Sequence, residues 1–235
     1  MKKLFLTYVL LSFLALPAVL AQNIGIRAGF SLASLTGSDA EAAAVAQYTQ
    51  AVSNINIAEI ANRFGIDAGA LSGLSQADPK PLPSFFAGAY LNVALIDRFQ
   101  IEPGLFIASR GYRVDNTLAG IVNVDVTNRS YYLEVPVLAR VFIGDNLNIY
   151  GGPQFALLLS NRFNTDLSAS IFQFDFESEA DRNLNNVDFG LALGLGYTLP
   201  FGLNAQIGYD LGLVRYDEDI QAYNGVWKLA AGLTF

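Results

Sequence analysis

Residues 187–199 read V-D-F-G-L-A-L-G-L-G-Y-T-L, which sets Val187, Phe189, Leu191, Leu193, Leu195, Tyr197 and Leu199 against Asp188, Gly190, Ala192, Gly194, Gly196 and Thr198. Successive side chains of an extended backbone point to opposite sides, so this period of two predicts a strand and not a helix. The run of 13 residues exceeds the usual strand of about 5 to 6 and reaches the roughly 9 to 11 tilted residues that cross a bilayer.

Seven other segments repeat the pattern, giving eight predicted strands at 23–36, 84–96, 98–114, 128–143, 146–160, 186–199, 202–216 and 223–235. Near the start, Ile24, Ile26, Ala28, Phe30 and Leu32 oppose Gly25, Arg27, Gly29, Ser31 and Ala33; near the end, Trp227, Leu229, Ala231, Leu233 and Phe235 oppose Val226, Lys228, Ala230 and Gly232. Alternation alone leaves open whether the apolar face points inward, as in a soluble lipocalin-type barrel, or outward into lipid. The polar face decides. A water-facing exterior carries many Lys, Glu and Thr, whereas here that face is mostly Gly, Ala, Asn, Gln and Tyr, residues that suit a crowded concave interior.

With the polar face as the lumen, its charges are Arg27, Arg110, Arg140 and Lys228 against Glu102, Glu134, Asp188 and Asp210, four of each sign. Buried charges are tolerated when paired, so these eight are expected to form an interior network, read first as a structural plug and second as a functional site.

Short connections near Ile96-Asp97-Arg98, Gly144-Asp145-Asn146 and Pro200-Phe201-Gly202 alternate with longer ones at about 37–83, 115–127, 161–185 and 217–222. Gly, Pro, Asp and Asn dominate the short ones, as tight turns require. Strict alternation of this kind belongs to an antiparallel barrel with periplasmic turns and extracellular loops. The fold class expected is therefore all-β: an eight-stranded antiparallel up-and-down transmembrane β-barrel, monomeric, whose small bore its own side chains fill.

The leading residues fit export to such a site. Met1-Lys2-Lys3 precedes an apolar stretch over Leu4–Leu16 and a small-residue exit at Val19 and Ala21, the pattern of a secretory signal cleaved after Ala21, with residues 22–235 as the barrel domain. Residue 22 is Gln, not the cysteine of a lipoprotein. The mature chain would then hold 12 basic and 21 acidic residues, a net charge of about −9 that disfavours nucleic acid as a partner. Neither Cys nor His occurs. Disulfides, thiolate metal sites, His-ligated zinc and His-dependent nucleophile systems are thereby excluded, and no cofactor or metal is expected.

The chain resembles the small outer-membrane β-barrel domain families of Gram-negative bacteria, in particular the porin-family or PorT-like eight-stranded group, with OmpA-like transmembrane domains as a more distant comparison. The segments that carry the resemblance are G-I-R-A-G-F-S at Gly25–Ser31, Q-I-E-P-G-L-F at Gln100–Phe106, Y-Y-L-E-V-P-V-L at Tyr131–Leu138, Y-G-G-P at Tyr150–Pro153 and D-F-G-L-A-L-G-L-G at Asp188–Gly196. It implies a location in the bacterial outer membrane, with outer-membrane lipid and the barrel-insertion machinery as partners. Lys228, Leu233 and Phe235 fit the frame of a barrel insertion signal, although Ala230 stands where such signals carry Gly.

In the first long loop, Ala42, Ala43, Val45, Ala46, Ile55, Ile57, Ile60, Ala61 and Phe64 fall among polar residues between Asp39 and Gly65, which predicts one or two short helices with Asp39 as N-cap and Gly65 as stop. This loop either packs over the barrel mouth or forms a plug or surface for an unknown ligand. Asp78-Pro79-Lys80-Pro81-Leu82-Pro83 reads as a stiff extended return. In the third long loop Asp166, Asp175, Glu177, Glu179 and Asp181 lie with Arg162 and Arg182, and Asp217-Glu218-Asp219 forms the fourth; both read as solvated acidic loops, with a divalent-cation site as the other reading. The function expected is non-enzymatic: membrane integrity, adhesion or surface interaction. A narrow transport channel or PorT-like secretion accessory is the alternative, with a membrane enzyme or a soluble lipocalin-like carrier ranked below both.

Overall fold

A computed structural model describes residues 23–53, 78–118, 122–169, 172–179, 186–215 and 221–235. The expected signal segment, the Ile55–Gly65 part of the first loop, Asp181, Arg182 and Asp217–Asp219 lie outside these residues.

The elements are β1 (Asn23–Thr36), α1 (Ala40–Ser53), β2 (Asp78–Ile96), β3 (Phe99–Leu118), β4 (Val122–Ile143), β5 (Leu147–Ala169), β6 (Phe172–Glu179), β7 (Val187–Thr198), β8 (Leu203–Gly212) and β9 (Tyr223–Thr234). Every pairing is antiparallel. The sheet runs β1-β2-β3-β4-β5-β7-β8-β9 and closes where β9 meets β1, with Arg27 opposite Gly232 and the Phe235 N–H donating to the Ile24 carbonyl at 2.8 Å. Eight antiparallel strands thus form a ring, and β6 is an addition paired to the upper half of β5, from Arg162 opposite Glu179 to Ala169 opposite Phe172.

Closure leaves the eight-stranded ring itself without an edge, which is what a strand protein immersed in hydrocarbon requires. The side chains divide as the alternation demands. Phe30, Leu193 and Leu229 on the outer face are 79%, 58% and 61% exposed, whereas Tyr90 and Glu134 on the inner face are each 1% exposed. At the narrow end the turns are short: Ile96 pairs with Phe99, Ile143 with Leu147 and Thr198 with Asn204. Gly144 and Gly202 take positive φ values of 72° and 88°, which glycine adopts without strain.

At the other end several strands run further than their hydropathy indicated. The segments expected as loops at 115–127 and 161–185 are largely β-structure: β3 and β4 pair up to Leu118 opposite Val122, and β5 continues to Ala169 before turning into β6. The proline-rich return belongs to β2, with Asp78 to Pro81 paired to Asp115 to Tyr112; its prolines lack N–H donors, and the ladder shifts register between Pro81 and Phe86. Conversely, β8 ends at Gly212, short of the expected 216. The result is a wall of β2 to β6 rising above the ring on one side, while β7, β8, β9 and β1 stop lower.

Helix α1 covers the mouth against β1, β2 and β3, burying Ala43, Ala44 and Tyr48. Its packed face is set by Ala43 and the i, i+4 pair Ala44 and Tyr48; of the apolar residues expected there Ala43 is buried and Val45 half-buried, while Ala42 and Ala46 are exposed. Asp39 precedes the helix as expected and its carbonyl accepts the first helical bond from Ala43 at 2.8 Å. Its carboxylate also accepts from the Gln221 N–H at 3.1 Å, tying the first loop to the chain that enters β9.

Because Leu193 sits mid-strand on the lipid face, Leu193→Arg is expected to weaken insertion by roughly 2 to 4 kcal/mol. Folding titrations into lipid vesicles measure this, and an unchanged yield would contradict the orientation of the faces.

Candidate functional site

All eight charged residues expected inside the ring are inside it. Arg27, Glu102, Arg110, Glu134, Arg140, Asp188 and Asp210 are buried, and the Lys228 side chain is 10% exposed. The structure divides them into two groups at different heights.

The group near the short turns is built on Glu102. Arg27 Nη1 and Nη2 donate to Glu102 Oε1 at 2.6 Å and Oε2 at 3.0 Å, while Arg140 Nε and Nη2 donate to Oε2 at 2.7 Å and Oε1 at 2.9 Å. Two guanidiniums therefore grip one carboxylate, each in the bidentate geometry that suits a planar fork. Arg140 also donates to Asn148 Oδ1 at 2.8 Å and Gln206 Oε1 at 2.7 Å, and Arg27 to Asn204 Oδ1 at 3.4 Å.

The group on the loop side centres on Glu134. Arg110 Nε donates to Glu134 Oε1 at 2.8 Å and its Nη1 to Asp188 Oδ2 at 2.9 Å, the latter also accepting from Asn224 Nδ2 at 3.0 Å. Lys228 Nζ lies 2.6 Å from both Glu134 Oε2 and Asp210 Oδ2. Between the groups along the strands come Phe106 on β3, Leu138 on β4 and Ala192 on β7, all buried, so an apolar layer separates them. The four-to-four balance of the sequence thus resolves into two unequal sets, two cations with one anion below and two cations with three anions above.

Each cation lies over an aromatic ring: Arg27 over Tyr90 at 3.9 Å, Arg140 over Tyr150 at 4.7 Å, Arg110 over Tyr132 at 5.2 Å and Lys228 over Phe86 at 4.7 Å. The rings need room, and glycine supplies it. A Cβ on Gly25 would overlap the Tyr90 ring, and one on Gly194 or Gly208 would overlap Tyr150. These aromatic and amide partners, Asn148, Asn204, Gln206 and Asn224 included, were not singled out from sequence; their lumen parity on each strand was the signal that could have found them. Of the three residues read as an insertion signal, Lys228 belongs to the upper group, while Leu233 and Phe235 share the outer face, Leu233 opposite Ile26 and Leu203.

Outside the ring, one register row crosses the raised wall as Asp78, Asp115, Asp125, Asp166 and Asp175 on β2 to β6. Lys80 Nζ reaches Asp115 at 2.7 Å, and Arg113 lies 3.7 Å from Asp115 and 3.3 Å from Asp125. Partial burial pushes the Asp115 carboxyl up, but the Lys80 hydrogen bond and charge and the Arg113 charge outweigh it, so the group sits below its usual value. Asp125 sits above its usual value, through burial first and then the neighbouring Asp115 charge, against the pull of Arg113. Among the described residues no three Asp or Glu are placed to hold a metal ion.

A profile of the outer membrane protein beta-barrel domain matches residues 20–217. The chain belongs to this family. Its location is accordingly the bacterial outer membrane, in contact with outer-membrane lipid. No curated protein matches the chain. Among solved structures, Ail of Yersinia pestis is 10% identical over 91% of this chain and 98% of its own, with a TM-score of 0.39. A second Ail structure, in complex with the heparin analogue sucrose octasulfate, gives 11%, 91%, 98% and 0.42 in the same order. Neisserial surface protein A is 12% identical over 90% of this chain and 97% of its own, with a TM-score of 0.43. Likeness this distant says nothing about a ligand or partner of this family member.

Glu134→Gln would remove the carboxylate that Arg110 and Lys228 share while leaving each its aspartate partner, Asp188 and Asp210, so the cost expected is that of the lost charge-assisted bonds, about 1.5 to 3 kcal/mol. Urea unfolding in lipid vesicles should show that loss, and a change below about 1 kcal/mol would mean that water already compensates these charges.

Proposed function

We propose that the protein is a non-enzymatic outer-membrane barrel that acts through its extracellular wall, in adhesion or another surface interaction, with its interior network as a structural plug. The observation that carries this reading is the height of β2 to β6. Closing an eight-stranded ring does not need this extension: β5 continues 12 residues past Leu157, its last residue paired to β7. Ordering each of those residues costs about 1 to 2 kcal/mol of backbone entropy. A sequence that keeps so expensive a structure outside the membrane has a use for it there.

The plug reading rests on the two ionic groups and the apolar layer between them, which leave no continuous wide bore. Purified protein in planar bilayers should therefore show no stepwise conductance. Steady channels in the wild-type protein would instead favour the transport reading. The non-enzymatic reading is supported by a sequence without His or Cys.

The wall is tested by removing it. A variant lacking residues 114–126 and 165–176 should still give a folded band that shifts on boiling, because the ring below is intact, while cells displaying it lose the attachment or aggregation that the full protein confers. Equal behaviour of cells with the full protein, the shortened protein and none would reject the surface role.

A further inference from the structure

Of the four lumen cations, Lys228 alone carries an amine, a group that becomes a nucleophile where a dry pocket strips it of water. Its Nζ lies 4.7 Å from the centre of the Phe86 ring, which packs with Tyr90, Phe106, Ala108 and Ala230 in a buried apolar cluster. Two carboxylates reach it there, Glu134 from β4 across the bore and Asp210 from the adjacent β8.

The two contacts differ in kind. Nζ donates a hydrogen bond to Glu134 Oε2 at 2.6 Å. Asp210 Oδ2 lies at the same 2.6 Å, yet that contact lacks hydrogen-bond geometry, and this buried oxygen has no hydrogen-bond partner among the described residues. One carboxylate is thus placed to carry a proton, while the other is held against the nitrogen. The register permits the approach: Lys228 stands opposite Gly208 and Asp210 opposite Val226, so the two side chains meet diagonally on one face of the β8–β9 ladder, with no side chain on Gly208 between them. The side chains of Lys228, Glu134 and Asp210 are 10%, 1% and 9% exposed. Holding a reacting pair at contact in such a site replaces the encounter that makes the same condensation slow in water.

We propose that Lys228 and Asp210 condense into an intramolecular isopeptide bond once the ring has closed, with Glu134 as the proton carrier. Nζ attacks Cγ of Asp210; the Nζ–Cγ bond forms and the bond from Cγ to one carboxyl oxygen breaks. Of the three ammonium protons, two pass by way of Glu134 to the departing oxygen, which leaves as water, and the third stays on the amide nitrogen. Glu134 ends as it began, and nothing is oxidised or reduced. One positive and one negative charge vanish together, so the upper group keeps its net charge while the cost of burying that pair is removed. The bond ties β8 to β9 beneath their loop and is independent of the surface role.

Mass spectrometry tests this. The full chain unfolded in urea should have its full mass and become lighter by one water as it refolds into micelles. Trypsin cuts after Arg182 and Arg215, so the folded protein should yield residues 183–215 joined to 216–235 as one branched species, with fragmentation placing the link at Asp210 and Lys228. Asp210→Ala leaves two cations facing two anions in the upper group, so it should fold, keep its full mass and give the two peptides separately. Glu134→Gln should slow the appearance of the linked species at least about tenfold, and an unchanged rate would overturn its part in the step. A folded wild-type chain that keeps its full mass overturns the proposal, as does a lost water that maps to any other residues, such as a cyclised aspartate.

Discussion

A narrow ring of strands in lipid has nowhere to send a charge except inward, and nothing inside to meet it except another side chain. That constraint organises this molecule. Arg27 and Arg140 converge from β1 and β4 on Glu102 of β3, and Arg110 and Lys228 converge from β3 and β9 on Glu134 of β4. Each carboxylate ties together strands that do not all pair with one another, so the network fixes the ring across its bore as the ladders fix it around its circumference. The glycines follow from the same constraint. Tyr90 and Tyr150 can lie under their arginines because Gly25, Gly194 and Gly208 leave the neighbouring strands bare beside them.

The membrane part was legible because one rule operates along every strand there. Lipid on one side and a crowded lumen on the other impose a strict period of two, and Leu193 or Lys228 can be assigned a side from parity alone. Above the membrane the rule weakens, since both faces of a sheet meet water or a loop. Val122 to Thr127 reads V-N-V-D-V-T and Phe172 to Glu177 reads F-Q-F-D-F-E, and both alternate as clearly as the spanning strands. Both fall within the segments 115–127 and 161–185 that the sequence analysis assigns to long connections. The alternation was the better guide, as the β-structure of both segments shows.

The interior was legible in its members and not in its grouping. Parity places eight charges in the lumen, but whether they mix depends on their heights along tilted strands, and height comes from register. Glu102 and Arg110 are eight residues apart on one strand with Phe106 between them, which holds them in separate sets. Counting signs over the sequence therefore gave a balance that no single neighbourhood of the lumen has.

The unequal height of the strands gives the outer end of the barrel a front and a back. Seen from outside the cell, the rim is a slope: a neighbour drifting in the plane of the membrane meets a tall sheet on the β3–β5 side and a low sill at β8. Rotation about the membrane normal, which leaves a symmetric barrel unchanged, here turns one kind of surface away and brings another forward. Any encounter with the protein in a crowded leaflet is therefore selective by compass bearing as well as by depth.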